Sequence, residues 1–377
     1  PPPPFQDDCQ YQFRATLHNF DWIGDANLRK SIPRRRTKPG FGRDGTMAVL
    51  VVGGGGFVGL NIVEHLLSQG ETVTLFDVEA APQAAVTALE GLPGTLRLVV
   101  GNVCKAGAIA AAITPDVSTM VYGAAVTAGF ERDRDAPETT LAVNLEGFLG
   151  ALRAARDAGL GRVINLSSAG AYGAAAFQGT GPLCEEYPAA DPQSIYSITK
   201  FASERIGQRM AEVWGLDVVS VRLSGVFGRW ERQTSVRDTP SPQFQILAAL
   251  RSGTPALVER MDMRDWIYAT DVARAVQSLL SAPSLAHRLY NISTGRSWSI
   301  LSWGQAMAAH FPGSECRLSE PSEHANIALH TAQDRRPLSV VRLTDDLGFR
   351  CAFDLNRSAN DYFLWAESEG AAKKKLA

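Results

Sequence analysis

From Met47 onward, apolar residues come alternately in short continuous runs and in helical spacing. Residues 49–52 are an unbroken valine-rich run, which reads as a strand buried on both faces. Apolar residues at 62, 63, 66 and 67 then predict a helix over 60–69. Runs at 72–76, 96–100, 119–123, 162–166 and 218–222 predict further strands, and a long amphipathic helix is expected over 138–157, closed by Gly159. Strands and helices in alternation predict an α/β fold built on a doubly wound parallel sheet. After Arg222 the rhythm degrades. Loops at 228–242 and 253–255 surround a helix near 244–251, and a clearer helix over 271–281 has Asp271 as its expected N-cap. Strand-like 288–292 follows it. The expected organisation is a non-native or disordered appendage over 1–46, a Rossmann domain over 47–222, a smaller substrate domain over 223–365 and a tail over 366–377. Residues 265–293 are expected to return to the first domain.

The turn after the first strand changes this from a fold reading to a chemical one. Gly53, Gly56 and Gly59 stand in a G-x-x-G-x-x-G pattern, with Phe57 and Val58 opening the helix. Such glycines permit a tight turn, close approach of a pyrophosphate and helix–strand packing, and the helix N-terminus favours the phosphate charge. The second strand ends in Asp77, where an acidic residue meets an adenosine ribose. Val78-Glu79-Ala80-Ala81 follow with no Arg or Lys for a 2′-phosphate, so NAD is expected rather than NADP. A net charge of −2 and 20% charged residues give no reason to expect nucleic acid or a membrane surface as partner. Five scattered cysteines and six histidines without metal-ligand spacing give no metal site, and fit a reducing, cytoplasmic compartment.

Of eight tyrosines only Tyr196 has a lysine four residues on, Lys200. On a helix these share one face, which brings an ammonium to a phenol and favours the phenolate. Upstream, the strand at 162–166 runs into Ser167-Ser168, where a hydroxyl can bond the same substrate oxygen. Ser168, Tyr196 and Lys200 are the expected catalytic set.

At this point the sequence resembles a known family, the extended short-chain dehydrogenases/reductases of the NAD-dependent sugar epimerase/dehydratase group, in its UDP-glucose 4-epimerase-like form. The resemblance spans about 47–365 and rests on Gly53–Gly59, Asp77, Gly123-Ala124-Ala125, Asn144, Ser167–Gly173, Tyr196 with Lys200, Arg222, Arg264–Tyr268 and Leu347-Gly348-Phe349. It implies that Ala124 and Ala125 line the cofactor, that Asn102 and Val103 stand at the adenine, and that Asn144 belongs to the active-site wall. It also implies a homodimer joined through two helices, about 138–157 and 196–214. On the substrate side it implies Thr127, Ser168, Gly225, Arg264 and a second arginine, Arg336 or its neighbour Arg335, for a sugar nucleotide or sugar acid. Family 4,6-dehydratases carry an Asp-Glu pair after the catalytic hydroxyl. Here Ala169-Gly170 stand there, which points to a 4-epimerase or, alternatively, a dehydrogenase. A non-catalytic NAD-binding regulator is the rival from another class. Gly225 departs from the family's sugar-contacting Asn, and Thr127 from a Lys beside the cofactor ribose.

Overall fold

The computed structural model describes residues 47–376, with side chains as far as 368; the expected appendage, 1–46, lies outside the described residues. In chain order the first elements are β1 (Ala48–Val52), α1 (Phe57–Ser68), β2 (Thr72–Asp77), α2 (Gln83–Glu90), β3 (Thr95–Val100), α3 (Ala108–Ala112) and β4 (Thr119–Tyr122). Then come α4 (Phe130–Asp135), α5 (Pro137–Leu141), a π turn (Ala142–Glu146), α6 (Gly147–Ala158), β5 (Arg162–Ser168), α7 (Ile195–Trp214), β6 (Val218–Leu223) and β7 (Val226–Phe227). The chain continues through α8 (Pro242–Arg251), β8 (Ala256–Val258), β9 (Met263–Arg264), β10 (Ile267–Tyr268), α9 (Ala269–Ser281), β11 (Leu289–Ile292) and β12 (Trp298–Ser299). It closes with α10 (Ile300–Ala308), β13 (Cys316–Leu318), α11 (Val341–Leu347) and α12 (Leu355–Leu376).

Seven strands make one parallel sheet in the order β11-β6-β5-β4-β1-β2-β3. The order reverses between β1 and β4, the switch point at whose carboxyl side such sheets bind ligands. β1 is buried along its whole length, as its unbroken apolar run requires. α1 turns Leu60, Ile62, Val63, Leu66 and Leu67 inward, against Val272, Val276 and Leu279 of α9. β11 joins β6 in parallel register, Leu289 opposite Ser220 through Ile292 opposite Leu223. A separate apolar cluster gathers Ile246, Leu250, Trp266, Trp303, Met307 and Tyr362 from the later elements.

Two expectations need adjustment. The helix expected over 138–157 is present but not uniformly α: α5 and α6 run into each other through the π turn, whose extra residue carries Asn144 inward. Asp271 does not cap α9, which starts two residues earlier; its carboxylate instead accepts the N–H groups of Ala352 and Phe353. α12 runs from Leu355 through the expected boundary at 366 to Leu376. Among the described residues Cys104, Cys316 and Cys351 are free thiols. Among the described residues no helix is long and apolar enough to cross a membrane, and no cluster of three His, Cys, Asp or Glu could hold a metal.

Candidate active site

The glycine turn lies at the end of β1. A Cβ on Gly53, where φ is +79°, would come 2.5 Å from the Ala124 nitrogen, and one on Gly59 would come 2.1 Å from the Gly53 oxygen. Only glycine lets these backbones close up. A Cβ on Gly56 would meet only the Gly53 oxygen, at 3.3 Å, so Gly56, Phe57 and Val58 begin α1 with no side-chain cap on its free N–H groups. The Gly55 N–H donates to Asp77 Oδ2 at 2.9 Å, which holds that carboxylate beside the turn, and burial pushes its pKa up. Ala124 and Ala125 follow β4 after Gly123, and Asn102 and Val103 follow β3 after Gly101; Asn102 Oδ1 accepts the Cys104 N–H at 2.8 Å. A bare helix start, an acidic side chain at the end of β2 and small residues at the switch point fit a dinucleotide, with the diphosphate on the N–H groups and a ribose at Asp77.

Next along the strand ends is the floor of the site. Asn144 is buried; its Oδ1 accepts the Val126 N–H at 2.9 Å and its Nδ2 donates to Thr199 at 2.9 Å, so the π turn ties the β4 exit to α7. Ser168 ends β5 and accepts the Gly170 N–H at 3.0 Å. Tyr196 lies in the first turn of α7, with Ser168 and Thr127 near enough to its phenol to favour the ionised form. The structure therefore brings Thr127, Ser168 and Tyr196 together. Lys200 is one turn further, its Nζ 5.7 Å from the Tyr196 ring centroid and donating to the Leu166 carbonyl at 2.8 Å. Burial holds its pKa down to about 8, with Glu204 opposing. Burial raises the Tyr196 pKa; the nearby Ser168 hydroxyl, the guanidinium of Arg237 and the Thr127 hydroxyl pull it back. Arg237 is thus a second cation near the phenol, beside Lys200. Sequence spacing missed Arg237 because it comes from a loop.

Behind the floor, Glu204 on α7 receives Ser167 at 2.5 Å and Arg222 of β6 at 2.7 and 2.9 Å, all three buried. This locks α7 to β5 and β6 below the catalytic face.

The opposite wall is made of arginines. Arg264 is buried, its Nε donating to Asp262 at 3.0 Å and its Nη2 to Thr331, and its guanidinium sits 5.3 Å from the Trp266 ring. Arg260 shares Asp262, and Arg335 bonds Asp265 at 2.6 Å. Burial lowers the Arg264 pKa, and Arg335 and Arg260 add to that. Arg336, expected at the substrate, does not join this wall: its guanidinium donates to the carbonyls of Gln178, Thr180 and Gly181. Its neighbour Arg335 stands there instead, a distinction that two adjacent arginines cannot reveal in sequence. Gly225 has a steric reason to be glycine, since a Cβ there would come 2.5 Å from the Trp266 indole. His330, burial holding its pKa down to about 4, faces the Pro240 carbonyl at 3.1 Å.

Comparison with known proteins fits this geometry. A dTDP-glucose 4,6-dehydratase of Actinoplanes sp. is 26% identical over 332 residues, 85% of this chain and 97% of that protein. A dTDP-L-rhamnose 4-epimerase of Burkholderia thailandensis is 23% identical, over 85% of this chain and 95% of that one. A UDP-glucose-4-epimerase from Stenotrophomonas maltophila, solved with NAD and formylated UDP-arabinopyranose, shares the fold at a TM-score of 0.73. It is 22% identical and covers 86% of this chain and 99% of its own. The family model matched by this sequence runs over residues 49–293, from β1 past β11, and takes in the glycine turn, the Ser–Tyr–Lys set and Arg264; the chain belongs to the NAD dependent epimerase/dehydratase family.

Proposed function

We propose that this protein is an NAD-dependent nucleotide-sugar epimerase working by transient removal of hydride from a secondary alcohol. The observation that carries the reading is the meeting of Ser168 and Tyr196 at the carboxyl edge of β5, with Lys200 one helical turn below. Tyr196 takes the hydroxyl proton while Ser168 donates to the same oxygen, and Lys200 supplies positive charge beneath the phenol. Bound NAD supplies a hydride acceptor that can give the hydride back. If the ketone turns over before the hydride returns, Tyr196 reprotonates it and the product is an epimer.

Although relatives include dehydratases, the residues after Ser168 favour epimerisation. Elimination needs its own acid and base, and Ala169-Gly170 offer neither; a Cβ on Gly170 would already come 2.8 Å from Ser197 Oγ. The arginine wall supports a nucleotide diphosphate as the substrate's handle, with Arg264 and Arg335 as its contacts. The homodimer belongs to the same reading. Leu141 on α5 and Ile198 and Val213 on α7 are exposed on the two helices through which it would form.

The test is incubation of purified protein with UDP- and dTDP-sugars and NAD, with products resolved by proton NMR. A C4-inverted sugar without accumulation of reduced nicotinamide is expected. Stoichiometric reduced nicotinamide would replace the epimerase by a dehydrogenase, and a 4-keto-6-deoxy product by a dehydratase.

A further inference from the structure

The loop between β7 and α8 is more than a connection. It is a built object. Glu231, fully buried, accepts the N–H of Ser241 at 2.7 Å and its hydroxyl at 2.6 Å, which ties the loop's two ends together. Arg237 closes the middle, pairing with Glu231 at 2.9 Å and lying 5.1 Å from the Phe57 ring. The tip is stitched to the exit of β4: Thr127 N–H donates to the Val236 carbonyl at 2.8 Å, and Asp238 accepts the Gly129 N–H at 2.7 Å. Its start is fixed on α1, where Asn61 donates to the Arg229 carbonyl at 2.7 Å and Trp230 to Glu64 at 2.8 Å. The loop is thus a strap running across the glycine turn, from α1 to Thr127 beside Tyr196.

On that strap sits Arg232. Its Nη2 donates to the Gly55 carbonyl at 2.7 Å, on the same residue whose N–H holds Asp77. Asp77 and Glu79 act on it electrostatically, which places the guanidinium at the adenosine end of the site. Its Nη1 is buried and has no hydrogen-bond partner. A buried charged donor left unsatisfied is costly, so its position calls for an acceptor that arrives with a ligand. An arginine fork next to a ribose-binding carboxylate suits a phosphate oxygen better than a hydroxyl.

We infer that Arg232 is a cofactor-binding residue, reaching from the second half of the chain to a phosphate ester on the adenosine ribose of the bound dinucleotide. The strap thereby adds a side chain to the glycine turn, where Arg232 is already bonded to Gly55. The phosphate can be the 5′-diphosphate common to all such dinucleotides or a 2′-phosphate, the group that Val78–Ala81 offer nothing to bind. This inference rests on the dinucleotide assignment of the glycine turn.

The experiment is calorimetric titration of the full-length protein, freed of nucleotide, with ADP, with 2′,5′-ADP and with adenosine, in wild type and in Arg232→Ala and Arg232→Lys. Wild type is expected to bind ADP, and Arg232→Ala to bind one of the two phosphorylated probes about 10–100-fold more weakly, with adenosine changed less than threefold. Loss on ADP identifies the 5′-phosphate as the contact; loss confined to 2′,5′-ADP identifies the 2′-phosphate. Arg232→Lys, which keeps the charge, should recover most of that loss and remains informative if the alanine variant does not fold. Unchanged affinities overturn the inference, and so does an equal loss on adenosine, because that marks an unlatched strap rather than a phosphate contact. A wild type that binds neither ADP nor NAD fails on the dinucleotide assignment itself, a separate result.

Discussion

Two sets of arginines and carboxylates flank the site, and they are built on opposite plans. Behind α7, Arg222 and Glu204 form a closed set. All three guanidinium nitrogens of Arg222 and both oxygens of Glu204 have partners, drawn from Ser167, Glu185 and each other. On the opposite wall, Arg260 Nε, Arg335 Nε and Asp262 Oδ2 are buried without any partner. The first set has nothing left to offer a ligand and serves to position α7. The second keeps donors in hand among three clustered cations, the arrangement expected where an anionic group is to be received. Burial and charge look alike in both; hydrogen-bond saturation separates scaffold from site.

The largest effect should come from the residue that the closed set positions. Tyr196→Phe should lower kcat by about 10²–10⁴-fold while NAD still binds, since one proton-transferring oxygen is lost and little volume. Ser168→Ala should cost less, because the serine shares the oxygen without transferring its proton. Steady-state rates with the screened sugar nucleotide, alongside NAD titration, make the measurement. A near-normal rate in Tyr196→Phe removes the mechanism.

For the closed set itself, Glu204→Ala should destabilise the fold by about 3–5 kcal/mol in denaturant unfolding, because it strands a buried guanidinium. Arg264→Ala should behave the other way round, raising KM for the nucleotide sugar about 10–100-fold with kcat and stability little changed. Should Arg264→Ala unfold the protein as Glu204→Ala does, the wall is scaffold as well and the contrast fails.

The smallest effect is a pH slope. The folded pKa of Lys200 is about 8 against an ordinary 10.5. Between those values the unfolded chain binds the extra proton, so this group makes stability rise with pH, by at most about 1.4 kcal/mol per pH unit. Below pH 8 both states hold the proton and the slope vanishes. Unfolding curves from pH 7 to 10 should show the rise in wild type and its loss in Lys200→Met.

The glycine turn and the Ser–Tyr–Lys set were more legible in the sequence than either group of paired charges. Gly53, Asp77, Tyr196 and Lys200 obey local spacing rules, and local spacing is what a chain displays directly. The sheet was legible for the same reason, down to its buried valine run. Asp262, Arg335 and Glu231 follow no period, because their partners come from segments far apart in the chain or from loops. The π turn at Asn144 also left no trace, since one inserted residue barely disturbs an amphipathic pattern. Arg336 shows the limit most plainly: its neighbour is chemically identical, and only the path of the backbone decides which of the two faces the cleft.

The position of β11 has a consequence for how the protein can be made. β6 needs β11 to cover its outer edge, and α1 needs α9 to cover its apolar face, yet both partners lie beyond residue 268. A chain emerging from its N-terminus therefore completes six strands and must wait some seventy residues for the seventh. During that interval β6 presents unpaired backbone groups, the kind of edge that recruits other chains. Fragments ending near Arg222 should aggregate when expressed, and a nick in the loops between β6 and α9 should leave the two pieces bound to each other.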